Sequence, residues 1–172
     1  MEALEELIRS RFLFALGFGS AKDCIAWAMD RLRLDQEGND LEVVLLAGAS
    51  ERDDVLPWVD AIIHRYADSS QMDEQLSAGK YLVSLHERYR AGAETVDSLD
   101  QKISKLYVHL HYPGWLVMLA RNCEYATDLP ASIEPFVSEF DYIAGLWGSA
   151  STPAEFLAKY SRAVSDSHDW WK

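Results

Sequence analysis

Residues 41–48 read LEVVLLAG, and the way they fold decides the class of the whole chain. The core of this stretch, Val43-Val44-Leu45-Leu46, suits a buried strand. Its borders suit a short helix, because Asp40 can cap one and Gly48 can end it. A lone strand cannot satisfy its own backbone hydrogen bonds, and no partner strand is evident elsewhere in the sequence. The stretch is therefore predicted as helix, with a strand as the alternative at 41–48. The chain as a whole is predicted all-α.

Working outward, cap signals divide the rest into helix-sized pieces. Upstream, a helix over residues 3–16 stops at Gly17-Phe18-Gly19, and Ser20 with Asp23 opens another. That second helix places Ile25, Ala28, Met29 and Leu32 on one face. Downstream, Ser50, Asp53 and Asp54 favour a new start. With Asp54 as the cap, Pro57 falls in the first turn, where its missing amide costs nothing. Val55, Val59, Ile62 and Tyr66 then form a stripe, with Trp58 beside it. Asp68-Ser69-Ser70 closes this helix. Ser70 with Asp73 opens the next, which buries Leu76, Leu82, Leu85 and Tyr89 before Gly92.

The C-terminal half is more regular. Val96, Leu99, Ile103, Leu106 and Leu110 follow 3-4 spacing, and Tyr112-Pro113-Gly114 ends that helix. Leu116, Leu119 and Cys123 face inward from a helix over 115–125, which breaks at Leu129-Pro130. Ser132 caps a helix carrying Ile133, Phe136, Phe140, Ile143 and Trp147 on one side. Thr152-Pro153-Ala154-Glu155 has the form of a capping box with proline at the first helical position. The helix it opens is predicted to reach residue 164 and to bury Leu157, Tyr160 and Val164. Residues 165–172 read as a tail whose Trp170 and Trp171 either dock on the body or fray. This makes about nine helices joined by short loops, hence antiparallel neighbours in a single domain over 1–172. IAWAMDRL at 25–32 faintly resembles LPWVDAII at 56–63, which leaves a short HEAT-like array open beside an irregular one.

Composition bounds the function. The 172 residues include 28 acidic and 16 basic side chains, a formal charge of −12, with 49 % apolar residues. That balance speaks against direct binding to nucleic acid or to anionic lipid. The N-terminus carries acids where a secretory signal carries bases, and no apolar run approaches the length of a membrane span. A cytoplasmic location is expected. Cys24 and Cys123 read as buried thiols.

Candidate chemistry is thin. His109 and His111 are two apart and diverge on a helix, so no metal site is expected. Asp60 and His64 are four apart and can pair as an oriented base, but no nucleophile shares their segment. Leu16-Gly17-Phe18-Gly19-Ser20 lacks the lysine and remaining glycines of a phosphate loop. No catalytic residue and no cofactor are expected. What stands out is charge placement: residues 23–74 hold thirteen acids against four arginines, a net of −9. Helix caps explain part of this, and a negative face that steers and holds a basic partner explains the rest. The residues predicted to form that face are Asp40, Glu42, Glu51, Asp53, Asp54, Asp60 and His64.

Three segments, FLFALGFGSAKDCIAWAMDRL at 12–32, LEVVLLAGASERDD at 41–54 and LPWVDAIIHRY at 56–66, resemble the small, acidic, all-helical immunity proteins of bacterial toxin-immunity systems. The resemblance implies a stoichiometric inhibitor that covers a toxin domain, often a basic nuclease. It transfers no residue roles. The expectation is thus a non-catalytic, protein-binding inhibitor with a basic protein partner. A helical scaffold or assembly subunit, using its tryptophans for self-association, is the alternative.

Overall fold

The computed structural model describes the backbone of residues 2–68, 71–129, 131 and 133–168, and side chains from residue 4 to residue 162 within those spans. The chain is all-α, an irregular helical array, and among the described residues there is no strand. The helices are α1 (Glu2–Ala15), α2 (Ala21–Arg33), α3 (Leu41–Ala47), α4 (Leu56–Tyr66), α5 (Glu74–Arg90), α6 (Val96–His109), α7 (Val117–Asp128), α8 (Ile133–Gly148) and α9 (Pro153–His168), with a 3-10 turn at Gly114–Leu116. They fall into two compact units, Met1–Ser77 and Ala78–Lys172, and the boundary lies within α5.

In the first unit α1 packs on α2 and α4, α2 on α3, and α3 on α4. Leu7, Cys24, Ile25, Ala28, Val43, Leu46, Val55, Val59 and Ile62 form its core. Residues 41–47 are helical, as the cap signals predicted: the Asp40 side chain accepts from the Glu42 amide, and Gly48 is the C-cap. Gly17 ends the first helix with φ +74°, a left-handed conformation that a side chain would strain.

Three expectations in this unit are corrected. On α2, Met29 is exposed and Cys24 takes an inward place beside Ile25 and Ala28. On α4 the stripe stops at Ile62 and Ile63, leaving Tyr66 exposed. Asp54 is not the α4 cap; Val55 occupies that position, because its side chain is buried and fixes the entry one residue later. Ser50 and Asp53 instead close a turn of their own. The Asp53 carboxylate accepts from the Ser50 amide at 2.7 Å, and the Asp53 amide donates back to the Ser50 carbonyl at 3.0 Å.

In the second unit α6 packs on α7, α7 on α8, and α8 on α9. Leu99, Ile103, Leu106, Leu119, Cys123, Phe136, Phe140 and Ile143 are all fully buried. The last helix is rotated from expectation: Leu157 is exposed, and Phe156 is buried in its place. The reason is aromatic packing, since Phe156 stacks on Trp147 with centroids 3.9 Å apart and meets Trp115 edge-on at 5.2 Å. Its capping box is also displaced by one residue. Thr152 Oγ1 accepts from the Glu155 amide at 3.2 Å, but Glu155 reaches back to the Ser151 amide. Helix α9 continues to His168, into the segment read as a tail. The side chain of Val164, the Ser70 and Ser132 caps, and the placement of Trp170 and Trp171 lie outside the described residues.

Candidate protein-binding surface

The acidic block of residues 23–74 resolves into carboxylates that hold the first unit together and carboxylates that do not. Asp40 belongs to the first kind. It is 4 % exposed, and its Oδ1 accepts from Arg65 Nη1 at 2.7 Å. Burial pushes its carboxyl upward, yet hydrogen bonds from Tyr66, Glu42 and Arg65 with the arginine's charge prevail and hold it below its usual value. Glu42 pairs with the same guanidinium at 2.9 Å. Arg65 thus clips the start of α3 to the end of α4, and Tyr66 donates to Asp40 from the adjoining position. Asp40 is no free binding residue: its proposed role gives way to a cap and a buried ion pair, because the helix entry needs a carboxylate where the core excludes water.

Asp60 is likewise engaged. Its Oδ1 meets Arg11 Nε of α1 at 2.9 Å. His64 does not touch that carboxylate; its Nδ1 donates to the Asp60 main-chain carbonyl at 2.8 Å. The pairing that would orient an imidazole as a base is therefore not formed, and Asp60 instead ties α4 to α1. Glu51 meets Lys22 at 3.0 Å with both side chains well exposed, a pair expected to contribute little to stability.

Asp53 and Asp54 differ from all of these. Both are exposed. Asp53 is bound only by the Ser50 amide and hydroxyl, whose hydrogen bonds keep its carboxyl below the usual range. Asp54 accepts weakly from the Leu56 amide at 3.4 Å. Neither carboxylate meets a basic side chain among the described residues, so both charges stand in water at the entrance to α4. The structure thus divides the six predicted acids, and turns His64 to the Asp60 main chain. Asp40 and Glu42 share Arg65, Asp60 takes Arg11, and Glu51, Asp53 and Asp54 sit on one loop between α3 and α4.

Beside that loop the outer side of α3 is apolar. Leu41, Val44 and Leu45 are 63 %, 45 % and 42 % exposed. Sequence reasoning decided only between helix and strand for this stretch and assigned no face to these residues. It also missed the role of Arg65, although a signal was present: Arg65 is the one arginine or lysine between Arg52 and Lys80, amid the acids of that stretch.

Both cysteines are free and buried. Burial, aided by Asp23, pushes the Cys24 thiol up to about 11. Burial, aided by Asp100 and Asp97, pushes Cys123 to about 12. Each is protonated near neutrality and a poor nucleophile. His111 follows the end of α6 with φ +57°, in a left-handed turn and not the extended segment that would let it chelate with His109. Among the described residues no three His, Cys, Asp or Glu side chains group as metal ligands, and no helix is long and apolar enough to cross a membrane. No family model, no curated protein and no solved structure matches the chain.

Proposed function

We propose that this chain is a non-catalytic, cytoplasmic protein-binding inhibitor of the toxin-immunity kind, and that it holds a basic protein partner, such as a toxin nuclease domain, on the acidic surface of its first unit. The observation that carries this reading is the pair Asp53 and Asp54: two exposed carboxylates without cationic partners, on a chain of net charge −12. The local hydrogen bonds of these two side chains leave their charge uncompensated, and it attracts cationic surfaces over a distance set by the ionic strength. Glu51 adds to them once a competing arginine or lysine displaces Lys22, since an exposed pair is cheap to exchange. Asp40, Glu42 and Asp60 support the surface indirectly by fixing α3 and α4 to their neighbours.

Affinity capture under native conditions tests the proposal, with the wild type beside the double reversal Asp53→Lys/Asp54→Lys. A basic protein retained in equal proportion by the wild type and absent from the reversed variant is expected. Retention of the same protein by both, or recovery of acidic proteins alone, would contradict it.

A further inference from the structure

We propose that the outer face of α3, formed by Leu41, Val44 and Leu45, is the apolar anchor of the interface with a basic protein partner, while the acids flanking it along the chain supply the charged rim. The inference rests on the proposed function and adds to it the part of the surface that decides affinity. A helix advances about 100° per residue, so positions 41, 44 and 45 share one side and 43 and 46 the other. The buried side is the expected one, with Val43 at 3 % and Leu46 at 0 % exposure. The solvent side should then be polar, as on an ordinary surface helix. Here it presents two leucines and a valine.

Folding does not require this. Serine, lysine or glutamate at the same three positions would leave the inner contacts of Val43 and Leu46 untouched. Apolar side chains grouped on a solvent face and bordered by charge are the pattern of an interaction surface, with an apolar centre and a polar rim. The border is mainly acidic, with Lys22 on Glu51 and Arg65 on Glu42 as the cations that reach it. Residues 34–54 contain Asp35, Glu37, Asp40, Glu42, Glu51, Asp53 and Asp54 against the single base Arg52. Arg65, folded in from α4, is already shared between Asp40 and Glu42.

Charge complementarity names the occupant. A second copy of this chain would bring the same acids against themselves, with −12 facing −12. A partner surface with an apolar patch among lysines and arginines gains on both counts: the acids speed its approach and the leucines lengthen its stay.

The test titrates the isotope-labelled full chain, at low salt, with two synthetic helical peptides of equal positive charge. One carries leucines along a single face, and in the other those leucines are glycines. Methyl resonances of Leu41, Val44 and Leu45 should move with the leucine peptide and stay with the glycine peptide. The variant Leu41→Ser/Leu45→Ser should raise the Kd for the leucine peptide at least about tenfold with only a small fall in melting temperature from the poorer helix propensity of serine. Val44→Thr gives a smaller loss in the same direction should the double variant fold poorly. An unchanged Kd, or resonance shifts centred elsewhere, would overturn the inference. So would a wild-type dimer, seen by sedimentation, that the serine variant abolishes. Binding that survives the serines but is lost in Asp53→Lys/Asp54→Lys would remove the α3 anchor and leave the acidic surface standing. Failure of both peptides to bind at low salt would remove both.

Discussion

Helix α3 is entered through a buried carboxylate, Asp40, and helix α6 follows another, Glu94, two residues before its first turn. Each acid is tied to bases: Asp40 to Arg65, and Glu94 to Arg88 and Lys102. The inner faces also match, with Val43 and Leu46 in one helix and Leu99, Ile103 and Leu106 in the other all buried. The outer faces do not. Helix α6 shows Gln101, Ser104 and Lys105 to solvent with one apolar residue, Val108, on the same side, whereas α3 shows Leu41, Val44 and Leu45. A buried, ion-paired acid at the head of a helix thus serves two ends, although Asp40 is itself the cap of α3 and α6 is capped by Thr95. In α6 it braces a helix whose outer face is polar but for Val108. In α3 it secures only seven residues, too few to persist alone, so that an apolar outer face is held in place.

The comparison breaks most readily at the inner faces. Leu46→Ala in α3 and Leu106→Ala in α6 should each lower stability by about 2–5 kcal/mol through lost transfer and cavity terms. Denaturant unfolding of the two variants checks this. A loss under about 1 kcal/mol for Leu46→Ala, with Leu106→Ala as expected, would mean that α3 is not held by its buried side.

The buried acids give a smaller, pH-dependent effect. Asparagine at position 40 keeps a capping oxygen but removes the charge, so Asp40→Asn isolates the ion pair. It should cost about 1–2 kcal/mol at neutral pH, a figure held down because Arg65 is partly solvated. The Asp40 carboxyl is depressed in the folded state. Its stabilisation is therefore present above the unfolded value of about 3.9 and fades as pH falls through the lower folded value. The gap in melting temperature between wild type and Asp40→Asn should close as pH falls below about 4. Glu94→Gln should behave the same way, because Lys102, Ser98 and Arg88 hold Glu94 down against the burial that pushes it up. A gap that stays constant with pH would show that the charge contributes nothing. Asp100 and Glu139 have the opposite sign. Burial raises both, with Glu124, Asp128 and Asp97 adding to the rise at Asp100. Acidification relieves their cost, and the comparison is therefore made variant by variant and not on the wild type alone.

Helices were legible in the sequence wherever period and cap agreed. Residues 96–110 needed nothing beyond their 3-4 spacing, and residues 41–48 were decided by Asp40 and Gly48 with the want of a strand partner. What was not legible depends on contacts distant in the chain. Phe156 and not Leu157 turns inward because Trp147 and Trp115 wait for a flat ring, and nothing in residues 152–164 announces them. The candidate surface was legible as charge but not as geometry. Counting acids found the −9 block, yet it could not separate Asp40, claimed by Arg65, or Asp60, claimed by Arg11, from Asp53 and Asp54. Those claims span 25 and 49 residues of chain, beyond any local pattern.

The most direct test of the account is the rate at which a captured basic partner associates with the wild type and with Asp53→Lys/Asp54→Lys, measured by stopped flow across ionic strengths. These carboxylates lie in water and hold no basic side chain, so their reversal should leave the fold intact at the cost of the Ser50 turn that Asp53 closes, and the melting temperature of the variant is measured beside its rates. The account predicts a markedly slower association for the reversed variant at low salt, with a shallower salt dependence and a lesser change in dissociation. An association rate equal to that of the wild type at low salt would contradict it.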